Sequence, residues 1–198
     1  MLMLTVHLRD IDMGIVKAWQ QSFAGVPDVV VSQGDIFAQT ADAIVSPANS
    51  FGFMDGGIDL LYARRFGWEL ETRLQDLLAQ RHYGELPVGQ AVVVPTNHAS
   101  IPFLVSAPTM RVPTSVRDTV NVYLAFRAAL IAVVAHNAGD SRPIGSLLVP
   151  GMGTGIGAVA PEQAARQMRS AYDTVLGGPG SRNRSARAIL GEHHALLA

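Results

Sequence analysis

Two glycine-rich segments, each lying between a short apolar run and a helix-like stretch, constrain the fold of this chain most strongly. The first reads Asn-Ser-Phe-Gly-Phe-Met-Asp-Gly-Gly-Ile-Asp at residues 49–59, and the second reads Gly-Met-Gly-Thr-Gly-Ile-Gly at residues 151–157. Glycine lets the backbone bend sharply and approach a ligand closely. A strand, a glycine loop and a helix N-terminus in succession direct free N–H groups and a partial positive charge at a phosphate. Two such loops predict opposite walls of one cleft for a phosphate-bearing ligand.

The composition excludes several classes of function. The chain has 198 residues, of which 48% are hydrophobic and 16% are charged, as in ordinary globular proteins. A formal net charge of -1 argues against nucleic-acid binding through bulk electrostatics. The absence of cysteine excludes disulfides, thiolate catalysis and cysteine-based zinc sites. The six histidines show no spacing such as His-Glu-x-x-His, so we expect no metal and no cofactor.

Neither a leader nor a membrane span is predicted. The N-terminus lacks a long apolar stretch, and no run approaches the ~18 apolar residues that a membrane span needs. We therefore expect a cytoplasmic protein that does not bind membranes, whose oligomeric state the sequence leaves open.

The order of apolar runs and helical stretches predicts the fold class. Strands are expected at residues 2–8, 29–32, 43–46, 91–94, 103–106 and 147–149, and helices at about 14–24, 60–81, 117–135 and 161–176. Most strand-like runs are continuously apolar, as in strands buried on both faces. A capping-box pattern, Ser115-x-x-Asp118, precedes the apolar part of the third helix, and Pro161-Glu162 opens the fourth. This alternation predicts a three-layer α/β/α sandwich with a mixed, mostly parallel central sheet. Ligands of such sheets bind beyond the carboxyl ends of the strands, where both glycine loops fall.

The composition changes after residue 176. Residues 177–187 are rich in glycine and arginine and resemble a basic linker, and a short apolar end follows at 188–198. We predict one α/β domain over residues 1–176 and a C-terminal extension over residues 177–198. The extension is either a terminal helix docked on the domain, a frayed tail or an interaction tail.

Three polar residues of the predicted cleft each allow two interpretations, and a fourth is an objection to phosphate binding. Asp35 can accept a hydrogen bond from the exocyclic amine of adenine, or form an Asx-turn. Asn49 can bind sugar hydroxyls or make a turn. Asp59 can be the N-cap of the second helix, or a general base that holds a water or a ribose hydroxyl, and both roles can coexist. Asp55, inside the first loop, would repel a phosphate unless it points away.

The second glycine loop also fits part of a dinucleotide-binding fingerprint, Gly153-x-Gly155-x-x-Ala158. That fingerprint needs a following helix, a second strand and an acid about 20 residues further on, whereas here only a helix and the tail follow. No Gly-x-x-x-x-Gly-Lys-Ser/Thr motif occurs, which excludes a P-loop nucleotidase.

Taken together, these motifs resemble the macro domain, the ADP-ribose-binding fold. The resemblance covers roughly residues 29–176. The matching segments are Gly34-Asp35-Ile36, Asp42-Ala43-Ile44-Val45, Ser46-Pro47-Ala48-Asn49, Gly56-Gly57-Ile58-Asp59 and Gly153-Thr154-Gly155-Ile156. The interval from Asn49 to Asp59 is the one found in the family.

The resemblance implies a ligand, ADP-ribose or an ADP-ribosylated protein, and a role for each matching residue. Asp35 would hold the adenine amine, and Ile36 would pack near the base. Asn49 and Asp59 would be the catalytic residues at the distal ribose, where an acid positions or activates water. The diphosphate would be bound by two sets of residues, the first being Gly56, Gly57 and Ile58, and the second being Gly151, Gly153, Thr154, Gly155, Ile156 and Gly157.

The chain departs from the family pattern at four places. Ser46 replaces the first asparagine of Asn-x-x-Asn, Asp55 replaces a loop glycine, and Ala63 stands where hydrolytic members usually carry a histidine. Residues 157–159 lack the aromatic that often packs on the distal ribose. Three functions follow from the resemblance: an ADP-ribosyl hydrolase acting on ester-type linkages, a non-catalytic ADP-ribose or nucleotide reader, or a repurposed macro fold that binds another ligand or a protein partner.

Overall fold

The computed structural model describes residues 4–139, 142–178 and 185–198. Strands and helices alternate along these ranges, and a one-turn 3-10 helix, Ile36–Ala38, follows the second strand. The elements are β1 (Thr5–Asp10), α1 (Met13–Ser22), β2 (Val29–Gln33), β3 (Ala43–Ser46), α2 (Gly57–Phe66), α3 (Glu69–His82), β4 (Val92–Pro95), β5 (Phe103–Ser106), α4 (Asn121–Gly139), β6 (Ser146–Val149), α5 (Pro161–Leu176) and α6 (Ala186–Leu197).

The strands form one sheet in the order β2-β1-β6-β3-β5-β4. Every pair is parallel except β4 with β5, which is antiparallel. The last strand along the described chain, β6, lies in the middle, between β1 and β3. The predicted mixed, mostly parallel sheet is confirmed, and the carboxyl ends of its parallel strands meet at one edge.

Two hydrophobic cores, one on each face of the sheet, make the fold three layers thick. Successive strand residues point to opposite faces. Val45 and Val105 therefore belong to the core under α1, α4 and α5, whereas Ile44 and Leu104 belong to the core under α2 and α3. The predicted α/β/α sandwich is confirmed.

Helix α4 is the most apolar helix of the first core. Within the described ranges it alone is long and apolar enough to cross a membrane, which corrects the expectation that no stretch approaches that length. Arg127 interrupts the apolar run in the sequence, but the mean hydropathy of α4 stays high enough for a membrane span. Val122, Phe126, Leu130 and Val133 are buried in the core of the domain, so α4 is a core helix of this fold.

Two predicted helices were wrong in extent. The stretch 60–81 forms two helices, because Gly67 has φ +90° and thereby ends α2 before α3 begins. Glycine adopts this left-handed region without the steric cost of a Cβ. The helix predicted from residue 117 begins at Asn121. Ser115 does not cap it, since the Ser115 hydroxyl accepts a hydrogen bond from Arg117 Nε, and the Thr119 hydroxyl accepts one from the Asn121 amide.

The C-terminal helix α6 packs on α5, with Leu196 buried. The predicted basic linker at 177–187 lies largely outside the described residues, as do the first residues of the strand predicted at 2–8. The division into a domain and an extension at residue 176 stays a prediction.

Candidate functional site

A cavity of about 470 Å³ opens at the carboxyl ends of the parallel strands, between the two glycine loops. Every ligand-binding residue predicted from the sequence lines it: Asp35, Ile36, Asn49, Gly56, Gly57, Ile58, Asp59, Gly151, Gly153, Thr154, Gly155, Ile156 and Gly157. The fold therefore brings together residues from distant parts of the chain, and what each of them binds stays a prediction.

Asn49 shapes the first glycine loop. Its Oδ1 accepts hydrogen bonds from the amides of Phe51 at 3.0 Å and Phe53 at 3.3 Å, and its Nδ2 donates to the Phe53 carbonyl at 2.8 Å. The turn-making interpretation is confirmed. Because one Nδ2 hydrogen is used by the loop, a single side-chain N–H remains for a ligand.

The first loop then leads into α2 with an open helix N-terminus. The Met54 amide donates to Glu71 Oε2 of α3 at 2.5 Å, which ties the loop to the domain. Gly56 is the N-cap and offers no side-chain cap, while Gly57 has φ +57°. The unpaired amides and the positive end of the α2 dipole therefore lie at the cavity wall.

Asp59 is a buried acid in the wall of the cavity. It is the third residue of α2, so the N-cap interpretation was wrong. The residue is only 7% exposed, and its Oδ1 accepts a hydrogen bond of 2.6 Å from the hydroxyl of Ser46, the last residue of β3. Burial raises the pKa of Asp59 to about 7, and the Ser46 hydrogen bond opposes that rise. This carboxyl consequently ionises near neutral pH.

The second glycine loop is closely packed on its inner side. Gly153 has φ +72°, and a Cβ there would lie 2.7 Å from Val122 Cγ2. A Cβ on Gly157 would lie 2.5 Å from the Gly153 carbonyl oxygen and 3.0 Å from Val116 Cγ2. Among the described residues, the amides of residues 154–157 donate to no other residue, and these four residues line the cavity.

Asp10 and Arg9 line the cavity and were missed in the sequence. Asp10 Oδ2 accepts from the Gly151 amide at 2.9 Å, which fixes the second loop to the end of β1. Arg9 donates from Nε to the Asp35 carbonyl and from Nη1 to Ser32 Oγ, both at 2.8 Å. Asp10 lies at the end of a strand, and Asp35 follows a strand. This position at a strand end is a signal that could have identified Asp10 from the sequence. No pattern marks Arg9.

Asp35 and Asp55 add further carboxylates to the cavity wall. Asp35 Oδ1 accepts from the Phe37 amide at 2.9 Å, which confirms the Asx-turn interpretation. Asp55 lines the cavity while remaining exposed to solvent. In the part of the chain that the structure describes, no three acidic or histidine side chains come close enough together to hold a metal ion.

A family model and curated relatives each match more than half of this chain. The family model "Macro domain" matches residues 45–168. An uncharacterized protein of Aquifex aeolicus is 36% identical over 141 residues, which cover 71% of this chain and 78% of that protein. An uncharacterized protein of Aeropyrum pernix is 35% identical over 151 residues, which cover 75% and 72% respectively.

Solved structures show the same architecture. The macrodomain of Mycobacterium tuberculosis DarG has a TM-score of 0.58 at 24% identity, covering 72% of this chain and 88% of that one. A mutant Oceanobacillus iheyensis macrodomain, solved with ADPR, has a TM-score of 0.59 at 20% identity, covering 83% and 88%. The fold, the two glycine loops and the family match agree, and the chain belongs to the macro domain family.

Proposed function

We propose that this protein binds ADP-ribose in the cavity and hydrolyses ester-type ADP-ribosyl linkages. The observation that supports hydrolysis is the buried Asp59 carboxyl in the cavity wall, hydrogen-bonded to Ser46 and with a pKa of about 7. A general base works best when its pKa lies near the operating pH. An ordinary exposed aspartate would be a much weaker base.

The charges in the cavity indicate how a diphosphate is bound. Among the residues that the structure describes, five aspartates line the cavity together with one arginine, Arg9; the aspartates are Asp10, Asp12, Asp35, Asp55 and Asp59. Side-chain charge therefore does not attract an anion to this site. The open N-terminus of α2 and the free amides of the second loop supply the hydrogen-bond donors instead. The solved macrodomain with ADPR supports this choice of ligand.

The adenine end of the ligand lies beside Asp35 in this proposal. One carboxylate oxygen of Asp35 accepts from the Phe37 amide, and the carboxylate keeps capacity to accept from the exocyclic amine of adenine. Arg9 holds the Asp35 carbonyl through Nε, which fixes the backbone of this turn. Adenine is therefore recognised by Asp35, whose carboxylate is held by the Phe37 amide and whose backbone is held by Arg9.

The chemical step is proton removal from water. Ionised Asp59 accepts a proton from a water that attacks the ester joining the distal ribose to an acidic side chain. The bond between the acyl carbon and the ribose oxygen breaks, protonated Asp59 returns its proton to that oxygen, and ADP-ribose and the free carboxylic acid leave. The diphosphate, held beside the same helix N-terminus, helps to orient the water. ADP-ribosylated proteins are the partners that this chemistry implies.

A second candidate is a reader that binds ADP-ribose without turnover. Two observations favour it. The Asn49 side chain is largely used in holding its own loop, and Ala63 provides no protic group at the position where hydrolytic members usually carry a histidine. Binding is common to both candidates, so turnover separates them.

Binding is tested by calorimetric titration of the purified protein with ADP-ribose, with Asp35→Ala as the control. We expect micromolar binding, about -8 kcal/mol, that is lost in the variant. No heat and no thermal stabilisation at millimolar ADP-ribose would contradict the proposal and favour a repurposed cavity.

Turnover is tested on a protein that carries ADP-ribose on an acidic side chain. We expect the wild type to release ADP-ribose and Asp59→Asn to bind it without releasing it, because the amide cannot accept the proton. Full activity of Asp59→Asn would refute the assigned role. Binding without turnover by the wild type would establish the reader.

A further inference from the structure

Gln167 of α5 is a fully buried polar side chain that lies outside the cavity. Its Nε2 donates to the Thr119 carbonyl at 2.8 Å and to the Leu196 carbonyl at 2.9 Å, and its Oε1 accepts from the Tyr123 amide at 3.0 Å. A buried amide is costly unless it is hydrogen-bonded. Gln167 therefore links three segments: the loop before α4, the first turn of α4 and the end of α6.

The end of α6 depends on these donors. The last carbonyls of a helix have no partner within the helix. Here the Leu196 carbonyl accepts from Gln167, and the Ala195 carbonyl accepts from Arg166 Nε at 3.0 Å. The Leu196 side chain itself is 4% exposed. The C-terminal helix is thus docked through both apolar burial and capping by α5.

The loop on the other side of Gln167 supports the second glycine loop. The Thr119 hydroxyl donates to the Val116 carbonyl at 2.7 Å, and the Val116 amide donates to the Gly157 carbonyl at 2.8 Å. Val116 Cγ2 also lies in close contact with Gly157. A short chain of hydrogen bonds therefore connects Leu196 of α6 to Gly157 in the cavity wall.

We propose that Gln167 is a positioning residue that couples docking of α6 to the conformation of the second glycine loop. The proposal rests on the proposed function, that the cavity binds ADP-ribose. When α6 is docked, one Gln167 amide group holds both Leu196 and the loop at Thr119. When α6 leaves, the amide loses a buried partner and the support of the loop changes. By thermodynamic reciprocity, ADP-ribose strengthens docking of α6 by the factor by which docking strengthens ADP-ribose binding.

The first test needs no variant. Hydrogen exchange of the full-length protein is measured with and without saturating ADP-ribose. No described residue of α6 lines the cavity, yet we expect exchange of the α6 amides to slow by about 5- to 10-fold, the lower part of the usual range of allosteric coupling. Unchanged exchange in α6, with the glycine loops protected, would overturn the proposal.

The second test compares two substitutions of the same kind in α6. Leu196→Asp places a charge at a buried docking position, and Leu190→Asp places one at a position that is 58% exposed. We expect the Kd for ADP-ribose to rise in Leu196→Asp by the same factor, about 5- to 10-fold, by which ADP-ribose slows exchange of the α6 amides. In Leu190→Asp the Kd should stay unchanged. Gln167→Glu, which keeps an acceptor for Tyr123 and loses both donors, should reproduce the effect of Leu196→Asp.

Adenosine separates coupling from general damage, because it lacks phosphates. Its affinity should not change in Leu196→Asp, since the loop at Asp35 is not connected to Gln167 by this chain of hydrogen bonds. An equal loss for adenosine and ADP-ribose would overturn the proposal. Failure of the wild type to bind ADP-ribose would instead remove the proposed function itself, and the titration of the wild type shows this before any variant is compared.

Discussion

The hydrogen bond from Ser46 to Asp59 sets the pH at which the proposed base becomes active. Ser46→Ala removes a 2.6 Å hydrogen bond to the carboxyl of Asp59. A hydrogen bond to a charged group contributes about 1.5–3 kcal/mol, and about 1.4 kcal/mol corresponds to one pKa unit. Since this bond holds down a pKa that burial raises to about 7, its loss should raise the pKa of Asp59 to roughly 8 or 9 by that arithmetic.

The assay is the pH dependence of kcat/KM, which reports the pKa of the free enzyme, for release of ADP-ribose from an ester-linked substrate. A general base acts only when it is ionised. At pH 7 about half of the wild-type Asp59 is ionised, given its pKa of about 7. In Ser46→Ala the ionised fraction falls to roughly a tenth or a hundredth, so we expect kcat/KM at pH 7 to drop about 5- to 50-fold and to recover as the pH rises to 9.

Ser106→Ala is the matched control. Ser106 pairs with Ser46 across β3 and β5, is equally buried, and its hydroxyl has no hydrogen-bond partner among the described residues. The control should leave the pH profile of the wild type unchanged. If Ser46→Ala lowered kcat/KM by the same factor at every pH, the hydroxyl would not be setting the pKa of Asp59, and the reasoning would be refuted.

Two further predictions concern the free energy of unfolding. Burial raises the pKa of Asp59 from 3.8 to about 7, so the folded state binds more protons than the unfolded state in this interval and stability falls as the pH rises through it. The free energy of unfolding of Asp59→Asn, measured with urea, should therefore match that of the wild type near pH 4 and exceed it by about 2–4 kcal/mol at pH 8. An equal difference between the two proteins at both pH values would contradict this. Gly157→Ala should lower the free energy of unfolding by about 1–3 kcal/mol, because its Cβ would collide with the Gly153 carbonyl. Gly155→Ala has open space around its Cβ and should change the free energy of unfolding by less than about 0.5 kcal/mol. Equal losses for the two variants in a urea titration would show that packing does not constrain the loop.

The sequence predicted the sheet and the position of the cavity well, because both depend on local patterns. The run at residues 43–45 is apolar at every position, and this pattern distinguishes strands buried on both faces. Glycine loops after such strands fall at the carboxyl edge of a parallel sheet wherever the strands pair. The two loops could therefore be assigned to one cleft before the strand order was known.

The parts that sequence reasoning missed depend on contacts between distant residues. Asp10 contacts Gly151 and Arg9 contacts Asp35, and neither pairing leaves a local pattern. The raised pKa of Asp59 likewise comes from burial, which no spacing encodes. The break at Gly67 was missed because a glycine inside an otherwise helical stretch predicts a break only weakly.

The central position of β6 has a consequence for synthesis of the chain. Residues Ser146–Val149 join β1 to β3, so the two halves of the sheet are not connected until most of the chain has left the ribosome. Such long-range pairing slows folding, because the entropy of loop closure is lost before the contacts form. The second glycine loop directly follows β6. A nascent or truncated chain that ends before this loop therefore has only one wall of the cleft.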